Sequence, residues 1–135
     1  MERMTTRAVR IGKVQVGGGA PVVVQSMCAT NTAAIDATVA QVYQLEAAGA
    51  GVVRIAVDNP KEAAALKEIR AQTTATLSVD LQENYKIADQ VAPYVDKIRY
   101  NPGHPTISKK AKPSGKKLPG WWMSLATMTW RSASA

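Results

Sequence analysis

The stretch DKIRYNPG, residues 96–103, combines a strand signal and a stop signal within a few positions. Two apolar side chains, Ile98 and Tyr100, alternate with two basic ones, which is the two-residue period of a β-strand. The Asn-Pro-Gly that follows predicts the end of the strand, because proline lacks a backbone donor and glycine tolerates positive φ. Arg99 and Asn101 therefore lie two residues apart, on one face at the carboxyl end of this predicted strand. An arginine fork and an amide in that position suit an anionic, oxygen-rich ligand, although a strand that ends in a turn with a solvated arginine fits the pattern equally well.

Outward from this strand, towards the amino terminus, apolar runs alternate with helical patterns. Strands are predicted at 21–27, 51–57, 76–81 and 95–100, and helices at 38–48, 61–70 and 83–91. The first run is continuously apolar, which is typical of a parallel strand covered on both faces. The β-α-β-α-β-α-β order predicts right-handed crossovers and a parallel sheet. A closed barrel of this kind needs about 250 residues, so length by itself favours a small doubly wound sheet.

A short hairpin is predicted before this sheet. Residues 8–16 contain two apolar segments around Gly12-Lys13, and three consecutive glycines follow at 17–19. The triple glycine resembles a phosphate-binding loop, but neither GK[ST] nor GxGxxG follows it. We interpret it as a connector.

The composition permits a folded core and favours a cytoplasmic protein. Of 135 residues 46% are hydrophobic, yet no run reaches the roughly 18 apolar residues that suggest a spanning helix. The basic N-terminal stretch lacks the apolar segment of a secretory signal. A single cysteine, Cys28, excludes an internal disulfide framework and fits a reducing compartment.

The net charge of +7 belongs almost entirely to the end of the chain. Residues 1–105 hold 11 basic and 10 acidic side chains, whereas residues 106–135 hold six basic and no acidic ones. A basic surface spread over the whole protein is therefore excluded as an argument for a nucleic-acid or membrane partner.

Polar residues interrupt or follow the buried runs at corresponding places. Arg54 lies in the second predicted strand, Asp80 ends the third, and Arg99 and Asn101 end the fourth. Burying an unpaired charge is costly, so each of these needs a partner or a ligand. Two interpretations stay open: an internal network in which Asp80 pairs with an arginine, and a rim that binds a phosphate ester or diphosphate.

Four motifs resemble the amino-terminal part of the 4-hydroxy-3-methylbut-2-enyl diphosphate synthase family, the iron–sulfur enzymes of the non-mevalonate isoprenoid pathway. They are VQSM at 24–27, ATVAQVYQLEAAGAGVVRIAV at 37–57, EAAALKEI at 62–69 and VDKIRYNPG at 95–103. The resemblance runs from about Arg7 to His104 and covers less than the first half of a full family member. It implies an α/β fold: a partial TIM-type (β/α) barrel of about four parallel strands and three helices after the hairpin.

The family reaction is the reductive ring opening of 2-C-methyl-D-erythritol 2,4-cyclodiphosphate with two electrons. The resemblance implies that Arg54, Asp80, Arg99 and Asn101 are rim residues that contact this cyclic diphosphate; it assigns no catalytic residue and no metal ligand to this chain. It also implies that full-length members are homodimers. Two departures stand out: Asp80-Leu81-Gln82 replaces the family's Asp-Ile-His, and Cys28-Ala29 replaces a Thr-Asn pair.

The family's [4Fe–4S] cluster is held by three cysteines and a glutamate in a separate carboxyl-terminal domain. This chain has one cysteine, whose expected role is that of a small, partly buried apolar residue. One thiol cannot hold such a cluster, so we expect no cofactor in this chain and no oxidoreductase activity from it alone. The predicted identity is a truncated, inactive fragment.

The last 30 residues lose the family pattern, which divides the chain into a truncated barrel at 1–105 and a basic tail at 106–135. All three tryptophans and six of the basic residues lie in this tail. We interpret it as disordered or as the product of a frameshift, and we expect neither a membrane nor a nucleic-acid partner. The alternative is a small α/β module that binds an anion or nucleic acid through the basic tail.

Overall fold

Six strands and three α-helices follow one another along residues 6–82 and 84–100, the part of the chain that the computed structural model describes. In chain order they are β1 Val9–Ile11, β2 Val14–Val16, β3 Gln25–Met27, α1 Ile35–Ala47, β4 Val52–Ala56, α2 Pro60–Gln72, β5 Leu77–Leu81, α3 Ala88–Val91 and β6 Lys97–Tyr100. Within these residues no helix is long and apolar enough to cross a membrane.

Strands β3 to β6 form one parallel sheet in the order β3-β4-β5-β6. Each strand pairs with the next one along the chain, and a helix lies in each connection. A doubly wound sheet would reverse its strand order, so the sequential order excludes that architecture for the described residues. The predicted α/β fold, an open partial barrel with four parallel strands and three helices, is confirmed.

The predicted hairpin is also confirmed, since β1 and β2 pair antiparallel. It lies at the amino ends of β5 and β6, where the Lys13 backbone N–H donates to Thr76 Oγ1 over 3.3 Å. Gly12 has a φ of +52°, and a Cβ there would come within 2.9 Å of Asp96 Cγ. The Asp96 carboxylate accepts from the Leu77 backbone N–H at 2.9 Å, so the hairpin packs against the start of the sheet.

Local sequence explains where α2 begins. The Asn59 side chain accepts from the Glu62 backbone N–H at 3.0 Å, and Pro60 occupies the first turn, where its missing donor costs nothing. The Glu62 carboxylate accepts in return from the Asp58 backbone N–H at 2.7 Å. These contacts satisfy two N–H groups at the start of the helix.

Three predicted elements differ from the structure. The first strand comprises only Gln25–Met27, and Val22 and Val24 before it are 94% and 59% exposed, so this run is not covered on both faces. Helix α1 begins at Ile35, three residues before the predicted start, without a side-chain cap, and Asp36 lies in its first turn. The predicted helix 83–91 is reduced to the four residues of α3, between two short 3₁₀ turns, because Pro93 follows closely.

The two faces of the sheet differ in character. On one face alternate residues of β4 to β6 are apolar and buried: Val53, Ile55, Leu77, Val79, Leu81 and Ile98. The opposite face carries the polar and charged side chains of β4 to β6 together with Val52 and Ala56, and we call it the polar face. Because strand side chains alternate, every second residue of the buried runs projects there.

Candidate anion-binding site on the polar face

Strand register arranges the polar face in two rows. The lower row, nearer the amino ends of the strands, joins Arg54, Ser78 and Lys97. The upper row, nearer the carboxyl ends, joins Ala56, Asp80 and Arg99. Since the strands are parallel and in register, residues far apart in sequence lie side by side.

The upper row is built around a buried carboxylate. Asp80 is only 3% exposed, and Arg99 Nη1 donates to its Oδ1 and Oδ2 at 2.8 and 2.6 Å. Arg54 Nε lies 3.8 Å from Asp80 Oδ2, so both arginines share one counter-charge. The internal network predicted as one interpretation is therefore present, with Asp80 at its centre.

Asp80 holds one end of Arg99 and leaves the rest accessible. The Arg99 side chain is 54% exposed although its Nη1 contacts both carboxylate oxygens. A charge-assisted contact of this kind fixes the direction of the guanidinium. The exposed remainder of the guanidinium can therefore receive a further anionic oxygen.

The lower row has unmet hydrogen-bonding capacity. Arg54 Nη2 donates to Met27 Sδ at 3.1 Å, whereas Arg54 Nε and Ser78 Oγ are buried without a hydrogen-bond partner among the described residues. Buried polar atoms are nearly always hydrogen-bonded in proteins, so such atoms require an explanation.

Lys97 completes the lower row at the β6 edge. Its Nζ donates to Gln25 Oε1 at 3.1 Å, which joins the first and last strands of the sheet. Burial lowers the pKa of Lys97, and the positive charges of Arg54 and Arg99 lower it further. These three cations are therefore close enough to repel one another.

The two rows carry an excess of positive charge. Arg54, Lys97 and Arg99 supply three cations, and Asp80 supplies the one carboxylate in the rows. The excess of two positive charges on a partly buried surface favours an anionic ligand with more than one negative charge.

Sequence reasoning found part of this arrangement. Three of the four predicted rim residues, Arg54, Asp80 and Arg99, come together; Asn101 lies outside the described residues. Lys97 was missed as a site residue, although its position two residues before Arg99 places both on one face. The predicted tail at 106–135 also lies outside the described residues.

Cys28 and Gln82, which stand at the two departures from the family pattern, differ in environment. Cys28 is buried, burial raises the pKa of its thiol, and its backbone N–H donates to the Arg54 carbonyl oxygen at 2.8 Å. Gln82, which stands where the resemblance implies a histidine, is exposed. In the described ranges no three His, Cys, Asp or Glu side chains are grouped so that they could hold a metal ion.

Comparison with known proteins gives one consistent result. The profile of the GcpE TIM-barrel domain matches residues 6–115. A 4-hydroxy-3-methylbut-2-en-1-yl diphosphate synthase (flavodoxin) of Rhodopirellula baltica is 62% identical over 104 residues, which cover 77% of this chain and 27% of that protein. A protein of the same name from Nitratiruptor sp. is 46% identical over 77% of this chain and 30% of that protein. Another from Anoxybacillus flavithermus is 42% identical over 83% of this chain and 30% of that protein. The chain thus spans less than a third of the length of these curated relatives.

Proposed function

The chain belongs to the GcpE TIM-barrel domain family, and from that membership we propose that it binds 2-C-methyl-D-erythritol 2,4-cyclodiphosphate on its polar face. Arg54 and Arg99 supply the cationic contacts, and Asn101 adds an amide by resemblance to the family motif. In this proposal the chain is the substrate-binding part of a 4-hydroxy-3-methylbut-2-enyl diphosphate synthase barrel.

The observation that carries the proposal is the surplus of positive charge around Asp80. Its carboxylate holds Arg99 through one nitrogen and leaves more than half of that side chain exposed. A cyclic diphosphate carries two negative charges, which matches the excess of two positive charges that Arg54, Lys97 and Arg99 leave after pairing with Asp80. Arginines that are already oriented lose less conformational entropy when the ligand binds.

Asp80 acts in this proposal as a positioning residue. Its negative charge would repel a diphosphate, and it lies buried beneath the guanidinium of Arg99. It therefore contributes by holding the arginines at the angle that the anion needs. This assigns Asp80 a different role from the substrate contact that the resemblance implies.

The donor set of this chain does not fit the cluster that the family uses. A [4Fe–4S] cluster is held mainly by cysteine thiolates, whereas the sequence contains one cysteine. That thiol, Cys28, is buried and its pKa is raised, which disfavours the thiolate that would bind iron. We therefore assign substrate binding, and no electron-transfer step, to these residues.

Isothermal titration calorimetry of the full chain with the cyclodiphosphate tests the proposal. We expect saturable binding that weakens about tenfold in Arg99→Ala, because a hydrogen bond to a charged group contributes roughly 1.5–3 kcal/mol. Arg10→Ala, which removes an equal charge from an exposed position in β1, should leave the affinity unchanged. Absence of saturable binding, or equal weakening by both variants, would overturn the proposal.

A further inference from the structure

The lower row differs from the upper row in its charge balance. In the upper row Asp80 contacts Arg99 at hydrogen-bond distance. The lower row contains two cations, Arg54 and Lys97, and no carboxylate of its own, and Arg54 Nε lies 3.8 Å from the shared Asp80 carboxylate. Lys97 and Arg99 are two residues apart on β6, so their Cα atoms lie roughly 6.6 Å apart along the strand. Both side chains therefore project over the polar face from neighbouring positions of one strand.

We propose that Lys97 contacts the second phosphate group of a diphosphate whose first phosphate lies against Arg99, and that it thereby selects diphosphates over monophosphates. This inference rests on the proposed function, because it concerns the same face and the same class of ligand. It adds a specificity-determining residue in the lower row.

The position of the Lys97 ammonium supports this role. A lysine at a sheet edge can extend its long side chain into solvent, but Lys97 Nζ donates to Gln25 Oε1 at the opposite edge of the sheet. The ammonium therefore lies over the polar face. Gln25 is neutral and accepts one of three ammonium donors, so within residues 6–82 and 84–100 no carboxylate forms an ion pair with Lys97.

Unpartnered atoms in the same row supply independent support. Arg54 Nε and Ser78 Oγ are buried without a hydrogen-bond partner among the described residues. Ser78 pairs in register with both Arg54 and Lys97 and lies between them. The row is therefore incomplete in its hydrogen bonding, as expected where a ligand or its bound water belongs.

The electrostatic state of Lys97 agrees with this placement. Burial and the charges of Arg54 and Arg99 lower its pKa, which means that its protonated form is disfavoured where it lies. A phosphate group placed between these cations would attract each of them and so offset their mutual repulsion. Part of the binding free energy would then come from relief of like-charge contacts that already exist.

Titration of the full chain with inorganic pyrophosphate and with inorganic phosphate at neutral pH tests the inference. In the unaltered chain we expect pyrophosphate to bind more tightly. Lys97→Met should weaken pyrophosphate about tenfold and phosphate less than twofold, while Lys97→Arg should retain the preference. Lys67→Met removes an exposed lysine from α2 and should change neither affinity.

The outcomes separate this inference from the proposed function. If Lys97→Met weakens both anions equally, or neither, the assignment of Lys97 is wrong, while Arg99-dependent binding of the cyclodiphosphate can still stand. If the unaltered chain does not bind the cyclodiphosphate, the proposed function fails, and the pyrophosphate preference still tests Lys97. Circular dichroism checks that each variant is folded, and Lys97→Gln supplies a second neutral variant if Lys97→Met does not fold.

Discussion

Arg99 Nη1 lies 2.8 and 2.6 Å from the two carboxylate oxygens of Asp80, a pair formed between adjacent parallel strands. The two members differ sharply in environment, since Asp80 is buried while the Arg99 side chain is mostly exposed. The carboxylate thus anchors an arginine whose free surface points away from the core. This relationship makes Asp80 a structural support for the proposed anion site.

Replacing Asp80 by asparagine should lower the stability of the chain. The change leaves Arg54 Nε and Arg99 without their shared counter-charge. Removing one partner of a buried pair costs about 3–5 kcal/mol, but the exposure of Arg99 reduces this to about 2 kcal/mol. Urea denaturation measures the loss, with Asp89→Asn on an exposed position of α3 as the control. Equal stability of the two variants would show that the Asp80 contacts contribute little.

Alanine at Gly12 should destabilise the contact between the hairpin and the sheet. Gly12 has positive φ, and a Cβ would meet Asp96 Cγ and Thr76 Cγ2 at 2.9 Å. Gly19 also has positive φ but no atom within 4 Å, so Gly19→Ala is a matched control for backbone strain. The Gly12 variant should lose about 1–3 kcal/mol more in thermal or urea unfolding, which is the usual cost of overpacking. A loss equal to that of Gly19→Ala would mean that the hairpin moves aside freely.

Asn59→Ala should weaken the start of α2. It removes the side-chain oxygen that accepts from the Glu62 backbone N–H. Loss of an N-cap costs about 1 kcal/mol, which urea denaturation resolves. Gln90→Ala, at an exposed position of α3, should change stability by less than about 0.5 kcal/mol. If both variants are equally stable, the Asn59 cap does not contribute to the folded state.

The titration of Lys97 should appear in the pH dependence of stability. The pKa of Lys97 is lowered from 10.5 in the folded chain. At a pH between the folded and unfolded pKa values, the unfolded chain therefore binds more protons than the folded chain. Lys97 therefore makes the free energy of unfolding rise with pH in the range between these two pKa values. We expect the unaltered chain to gain stability relative to Lys97→Met as pH rises towards 10.5. Urea denaturation at each pH measures the difference in stability between the two chains. If this difference does not change with pH, the pKa of Lys97 is not lowered.

Cys28 should react slowly with iodoacetamide in the native chain. The side chain is 6% exposed, and burial raises the pKa of the thiol above 9.0, so little thiolate is accessible at neutral pH. Mass spectrometry should show faster labelling in urea, where the thiol is solvated. Equal rates in the native and unfolded chains would show that the loop after β3 opens readily.

The sequence predicted the order of elements well because local patterns specify it. The apolar runs at 51–57 and 76–81 and the helical pattern between them indicated two strands and a helix without any long-range information. The same reasoning failed at residues 21–24, which lie outside the first strand and where Val22 and Val24 are exposed. Apolarity indicates a preference for burial, but whether a partner surface is present depends on the rest of the fold.

For the site, the sequence by itself determined which residues project to the same face of each strand, because side chains alternate along a strand. It therefore identified Arg54, Asp80 and Arg99 as candidates and left their partners open. The tertiary structure decided that Asp80 pairs with both arginines and that Lys97 reaches Gln25 across the sheet. These contacts depend on strand order and register, which join residues up to 72 positions apart. No local pattern encodes such a distance, since it follows from how the whole sheet packs.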